Sequence, residues 1–89
     1  MSLSKFRVKI QTPKKILWQD DADVLSSENK EGEFSILPGH ANFITLIQNK
    51  PIIISYKGKE REFLFESAVI HVANNKISIY THLLHKRNS

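Results

Sequence analysis

Phe6-Arg7-Val8-Lys9-Ile10 alternates apolar and basic residues without a fault. A strand repeats every two residues, so Phe6, Val8 and Ile10 share one face while Arg7 and Lys9 share the other. The pattern predicts a half-buried strand, ended by Thr12-Pro13 because proline brings no N–H to a ladder. Working outward, Ile16-Leu17-Trp18 reads as a second short strand, and Ala22 and Val24 mark a third. A polar loop is expected from Ser26 to Glu31, and Phe34-Ser35-Ile36 alternates again. Leu37-Pro38-Gly39-His40 fits a type II turn, with proline second and glycine third. Phe43-Ile44-Thr45-Leu46-Ile47 is either a strand or a short helical turn running into one. Ile52–Tyr56 and Glu62–Phe65 flank a turn at Lys57-Gly58-Lys59. Val69–Val72 and Lys76–Tyr80 flank Asn74-Asn75, and asparagine tolerates the positive φ of a tight hairpin. Eight to ten short strands, at spacings of about 8–12 residues, predict an all-β sandwich or flattened barrel. Only Ala68–Ala73 is too short for a helical period to be ruled out.

The 89 residues give one domain, 1–89, with 1–4 and 84–89 expected as loose ends. A domain this small buries only about 60–65% of its unfolded surface, so a partner covering apolar area would stabilise it by mass action. There is no cysteine, which removes disulfides and thiolate zinc sites from this stretch. The apolar runs are short, as in Pro51-Ile52-Ile53-Ile54, and fall far below the roughly 20 residues of a helical membrane span. The N-terminus passes directly into a strand pattern with no signal-peptide core, so a cytoplasmic protein is expected.

The formal charge is +4. Nucleic-acid binding generally needs its cations on one face. Here Lys5, Arg7, Lys9, Lys14, Lys15, Lys57, Lys59, Arg61, Lys86 and Arg87 are scattered, and aromatic residues do not interleave with them as stacking platforms. Six of the nine acids lie between Asp20 and Glu33, which predicts a dipolar molecule instead. Asp20-Asp21-Ala22-Asp23 lacks the glycine that a calcium loop needs at its sixth position and reads as an acidic strand entry. His82 and His85 would point to opposite faces of a strand, without a third ligand nearby. His40 follows the Pro38-Gly39 turn, where its ring either locks the loop or touches a partner. The three glycines, 32, 39 and 58, are isolated, so no phosphate-binding loop is formed. No nucleophile–base pair stands out, and the residues describe a non-catalytic interaction module without metal or cofactor.

The stretch Glu31-Gly32-Glu33-Phe34-Ser35-Ile36-Leu37-Pro38-Gly39-His40-Ala41-Asn42-Phe43-Ile44-Thr45-Leu46-Ile47 is far more specific. It resembles the signature of the epsilon subunit of F-type ATP synthases, of the form E-G-x-x-x-I-L-P-G-H-A-x-x-x-T-x-L. The opening Phe6–Pro13, the apolar Leu17-Trp18 and the hairpin around Asn74-Asn75 agree in layout, so the resemblance covers about residues 6–82. Two places depart from the family: Asn49-Lys50-Pro51 and Ser67-Ala68 stand where glycines are usual. Typical members continue into a C-terminal helical hairpin that this stretch lacks, so the expectation is either a naturally short protein, as in some alternate F-type ATPases, or a piece of a longer one; the polar Lys86-Arg87-Asn88-Ser89 favours the first.

The resemblance implies a sandwich of about ten strands in the central stalk of the rotary complex. Such a subunit is non-catalytic, couples the gamma subunit to the membrane c-ring, and touches the cytoplasmic side of the membrane only through the complex. Glu31, Gly32 and Glu33 match the family's c-ring loop, and Thr12, His40, Asn42 and Thr45 match its gamma-facing positions. Pro38 and Gly39 form the structural turn. The competing expectation is a free-standing sandwich that binds protein or nucleic acid.

Overall fold

The protein is described over residues 4–82 by a computed structural model. Strand β1 (Phe6–Gln11) buries Phe6, Val8 and Ile10 and turns Arg7 outward, as its alternation requires. A Thr12 turn follows: the hydroxyl accepts the N–H groups of Lys14 and Lys15 at 3.2 Å each, and the Thr12 N–H donates to the Lys15 carbonyl. The chain returns as β2 (Ile16–Ala22), passes a corner at Asp23 and continues as β3 (Val24–Asn29). Lys30 and Glu31 make the tip leading into β4 (Gly32–Ile36); the Leu37–His40 turn then feeds β5 (Phe43–Gln48). The remaining strands are β6 (Pro51–Tyr56), β7 (Lys59–Leu64), β8 (Ser67–Ala73) and β9 (Lys76–Thr81).

Among the described residues these nine strands form two sheets, ordered β2-β1-β9-β8-β5 and β4-β3-β6-β7. All pairings are antiparallel except β1 with β9. The inner faces meet in one core built from Val8, Ile10, Leu25, Ile36, Ile47, Ile52, Ile70, Ile77 and Ile79, all essentially inaccessible. Branched aliphatic side chains suit a pleated, closely packed surface. Aromatic rings close the flanks, with Trp18 tilted on Phe63 at 5.2 Å and Phe34 edge-on to Phe43 at 5.8 Å.

Three sequence expectations are corrected. Ser26–Asn29 is strand, not loop: Ser27 is buried and donates to the Pro51 carbonyl at 2.9 Å, and Ser26 and Ser35 bond across the hairpin. Serine hydroxyls thus do what apolar side chains do elsewhere, and hide the strand from a hydropathy pattern. The second strand runs on to Ala22, which pairs with Phe6, so Asp20 and Asp21 lie inside β2 and not at a strand entry. Glu62–Phe65 is displaced: the hairpin partner of β6 is Lys59–Leu64, with Phe65 buried beyond its end. Phe43–Gln48 and Ser67–Ala73 are both strands. The expected loose ends lie outside the described residues, save for Ser4, as does His85.

Candidate functional site

Gly39 has φ +79 and the His40 N–H reaches the Leu37 carbonyl at 3.0 Å, which makes the type II turn with Pro38 at its second position. His40 then packs edge-on against Phe43, ring centres 5.4 Å apart, so its ring locks the exit of the loop. The Asn42 side-chain oxygen accepts the Asn74 N–H at 3.3 Å, and the Asn75 amide reaches Gly39. The signature loop is therefore held against the β8–β9 turn.

Thr12 lies at the other end of the same five-stranded sheet. Asn42 precedes the rung Phe43–Val72–Ile77–Val8, whereas Thr12 follows the rung Leu46–Val69–Tyr80–Gln11. Thr45 belongs to neither end. It sits mid-strand with its side chain toward the other sheet, where its hydroxyl accepts the Asn29 side-chain N–H at 2.9 Å.

What joins Thr12 to Asn42 is an apolar outer face that the sequence reading missed. One rung crosses all five strands as Ile16–Gln11–Tyr80–Val69–Leu46, and Ile44 stands on the next outward rung beside His71. Ile16, Tyr80, Leu46 and Ile44 are 47%, 46%, 45% and 67% exposed. The signal was present in Phe43–Ile47, which is apolar at both parities; a strand apolar on both faces has something to cover on each. At the far end of that face the surface becomes basic, with Arg7 beside Lys76 and both Lys5 and Arg7 bonded to Asp21 at 3.1 Å. The hydrogen bond from Lys5, then that from Arg7, holds the Asp21 carboxyl below its ordinary range, and the same contact raises Lys5.

Glu31, Gly32 and Glu33 form the tip and start of the β3–β4 hairpin. Gly32 has φ +123, a backbone state that side chains with a Cβ rarely adopt, and the Glu31 N–H is held by the Asn29 side-chain oxygen at 2.8 Å. Glu33 is exposed on the outer face of the four-stranded sheet, directly opposite Glu28. A groove of about 380 Å³ runs between this tip and β5, lined by Asn29, Lys30, Glu31, Ile44 and Leu46 among others. The acids do not make one pole: Asp20, Asp21 and Asp23 follow the β1–β2 side, while Glu28, Glu31 and Glu33 follow the β3–β4 hairpin. Among the described residues no three histidine, aspartate or glutamate side chains come together to hold a metal ion.

At the two places where the resemblance leads one to expect glycine, Asn49 adopts φ +57, a left-handed conformation, while Ser67 and Ala68 are ordinary strand residues.

Comparison with known proteins accords with this architecture. Residues 5–84 match the family described as ATP synthase, delta/epsilon chain, beta-sandwich domain. The chain is 33% identical over 75 residues to an ATP synthase epsilon chain of Clostridium novyi, covering 83% of this chain and 57% of that one. It is 32% identical over 81 residues to an ATP synthase epsilon chain of Leptospira interrogans, covering 91% and 64%. It thus spans about three-fifths of the length of these relatives. Its fold is similar to that of a chain in the Euglena gracilis mitochondrial ATP synthase, with a TM-score of 0.81, 17% identity, and coverage of 91% of this chain and 52% of that chain. The match of nearly the whole sandwich, signature loop included, means that this chain belongs to the family of the ATP synthase delta/epsilon chain β-sandwich domain.

Proposed function

We propose that this chain acts as a non-catalytic central-stalk subunit of an F-type ATP synthase, coupling the gamma subunit to the membrane c-ring. The observation that carries the reading is the largely apolar rung Ile16–Gln11–Tyr80–Val69–Leu46, with Ile44 beside it, on the outer face of a sheet in the family of the ATP synthase delta/epsilon chain β-sandwich domain. Large contiguous apolar surface on a small monomer marks an interaction site. Gamma covers this face, with Thr12 at one end and His40 and Asn42 at the other; Thr45 contributes from below by bracing β5 to Asn29. The c-ring loops meet Glu31, Gly32 and Glu33, where each exposed ion pair is worth about 1 kcal/mol or less. The subunit would then lie on the cytoplasmic side of the membrane, held there by the complex. Torque passes through it because both contact regions sit on one stiff, fully cored sandwich.

The test is co-expression with the gamma subunit of the same genome, followed by size exclusion and native mass spectrometry. A one-to-one complex is expected from the parent chain, and its loss from Ile44→Asp. Ile44 is mostly exposed, so that variant should fold with stability changed by no more than about 0.5 kcal/mol. A folded parent chain that forms no complex would favour the free-standing binding module. Nucleic-acid binding with a steep salt dependence would then be the next measurement.

A further inference from the structure

We infer that Asn75, which lies outside the signature stretch, is a positioning residue that holds the Leu37–His40 turn in the shape its partner receives. The inference rests on the rotor reading above. Asn75 is in the two-residue turn between β8 and β9, and both Asn74 and Asn75 have positive φ, +53 and +59. That pair of values is a type I′ turn, where glycine is the favoured second residue. Backbone preference alone would therefore put glycine at 75. The side chain explains the asparagine. Its Oδ1 accepts the Gly39 N–H at 2.8 Å and its Nδ2 donates to the Lys5 carbonyl at 2.7 Å. One bond needs an acceptor and the other a donor, so only one orientation of the amide serves both.

Three segments far apart in sequence are joined at this one group: the signature turn, the β8–β9 hairpin and the entry to β1. The Gly39 N–H points out of its own turn, where the Leu37–His40 bond leaves it unused, and Asn75 gives it a fixed partner. The neighbouring Asn74 N–H holds Asn42 from the same hairpin, so both sides of the loop are tied to one support. Such pre-ordering reduces the entropy lost when a loop is captured.

The test uses the full 15N-labelled chain in three variants. Asn75→Gly removes the amide yet suits the turn, so the fold persists. Asn75→Asp keeps the acceptor for Gly39 and loses the donor to Lys5. Asn74→Gly makes the same backbone change one residue earlier and leaves the latch intact. Amide exchange at Gly39 and affinity for gamma are read in parallel. In Asn75→Gly, Gly39 exchange is expected to rise about tenfold and gamma affinity to fall roughly fivefold, the scale of one lost hydrogen bond. Asn75→Asp should fall between, and Asn74→Gly should match the parent in both. Unchanged Gly39 exchange in Asn75→Gly would overturn the latch. Faster exchange with undiminished gamma binding would overturn the positioning role. A parent chain that fails to bind gamma would sink the rotor reading and the positioning role together, while Gly39 exchange would still report whether the latch exists.

Discussion

Asparagine carries much of the turn geometry: Asn49, Asn74 and Asn75 adopt positive φ, as does Lys57, beside Gly32, Gly39 and Gly58. Its short polar side chain lowers the usual penalty for that conformation. The Pro38-Gly39 and Asn74-Asn75 turns were legible for this reason, since each pair of residues fits few backbone states. The Asn75 amide was not legible, because its partners are 36 and 70 positions away along the chain. Gly39 yields a direct prediction. At φ +79 a Cβ is strained whatever space surrounds it, so Gly39→Ala should cost about 1 kcal/mol or more. A urea midpoint equal to the parent's would contradict the turn geometry.

At the scale of elements, regular alternation made β1, β4 and β9 readable, and apolar runs bounded by turns did so for β6 and β8, while β3 was hidden. Its inward positions are Leu25, Ser27 and Asn29, and two of these bury polar atoms whose partners lie on other strands. Hydropathy cannot report a hydroxyl satisfied by a carbonyl 24 residues away. The β1–β2 pair is likewise tied by charge: Arg7 and Asp21 stand opposite each other, with Lys5 on the same carboxylate. Asp21 has its folded pKa below the ordinary 3.8, so its contribution is present above that value and fades as pH falls through the depressed one. Lys5 is raised above 10.5, so its share is present below that value and is lost as pH climbs through the higher one. Asp21→Asn should therefore narrow the difference in urea midpoint between about pH 6 and about pH 3. The pair is exposed, so the effect should be small and shrink with added salt. Identical pH profiles for variant and parent would show that the pair contributes nothing to folding.

At the scale of the whole molecule, the two sheets present unlike outer faces. The five-stranded sheet is apolar in one rung and basic in another; the four-stranded sheet carries Glu28, Glu33, Glu60 and Glu62 with Ser26 and Ser35. The fold and the signature loop could be read from one sequence, but this division could not, because it depends on which strands become neighbours. β1 lies beside β9 across nearly the full length of the chain, and only that pairing brings Gln11 to Tyr80 and completes the apolar rung.

The acidic face offers the sharpest separation of folding from function. Glu28 and Glu33 are direct cross-strand partners, and like charges so placed oppose the pairing. Lys50, 3.8 Å from Glu28, offsets part of that repulsion. Among the described residues the Glu33 carboxylate makes no hydrogen bond or ion pair that would offset this repulsion. Glu33→Lys turns the repulsion into attraction, so the isolated domain should be as stable as the parent or firmer by a few tenths of a kcal/mol. Gamma binding should persist, because the substitution lies on the other sheet from the apolar rung. Attachment to the ring should weaken, read as poorer coupling of ATP hydrolysis to ion pumping in the reassembled complex. A variant that is firmer in urea and still fully coupled would remove Glu33 from the ring contact. One that is less stable than the parent would instead mean that Glu33 serves the hairpin.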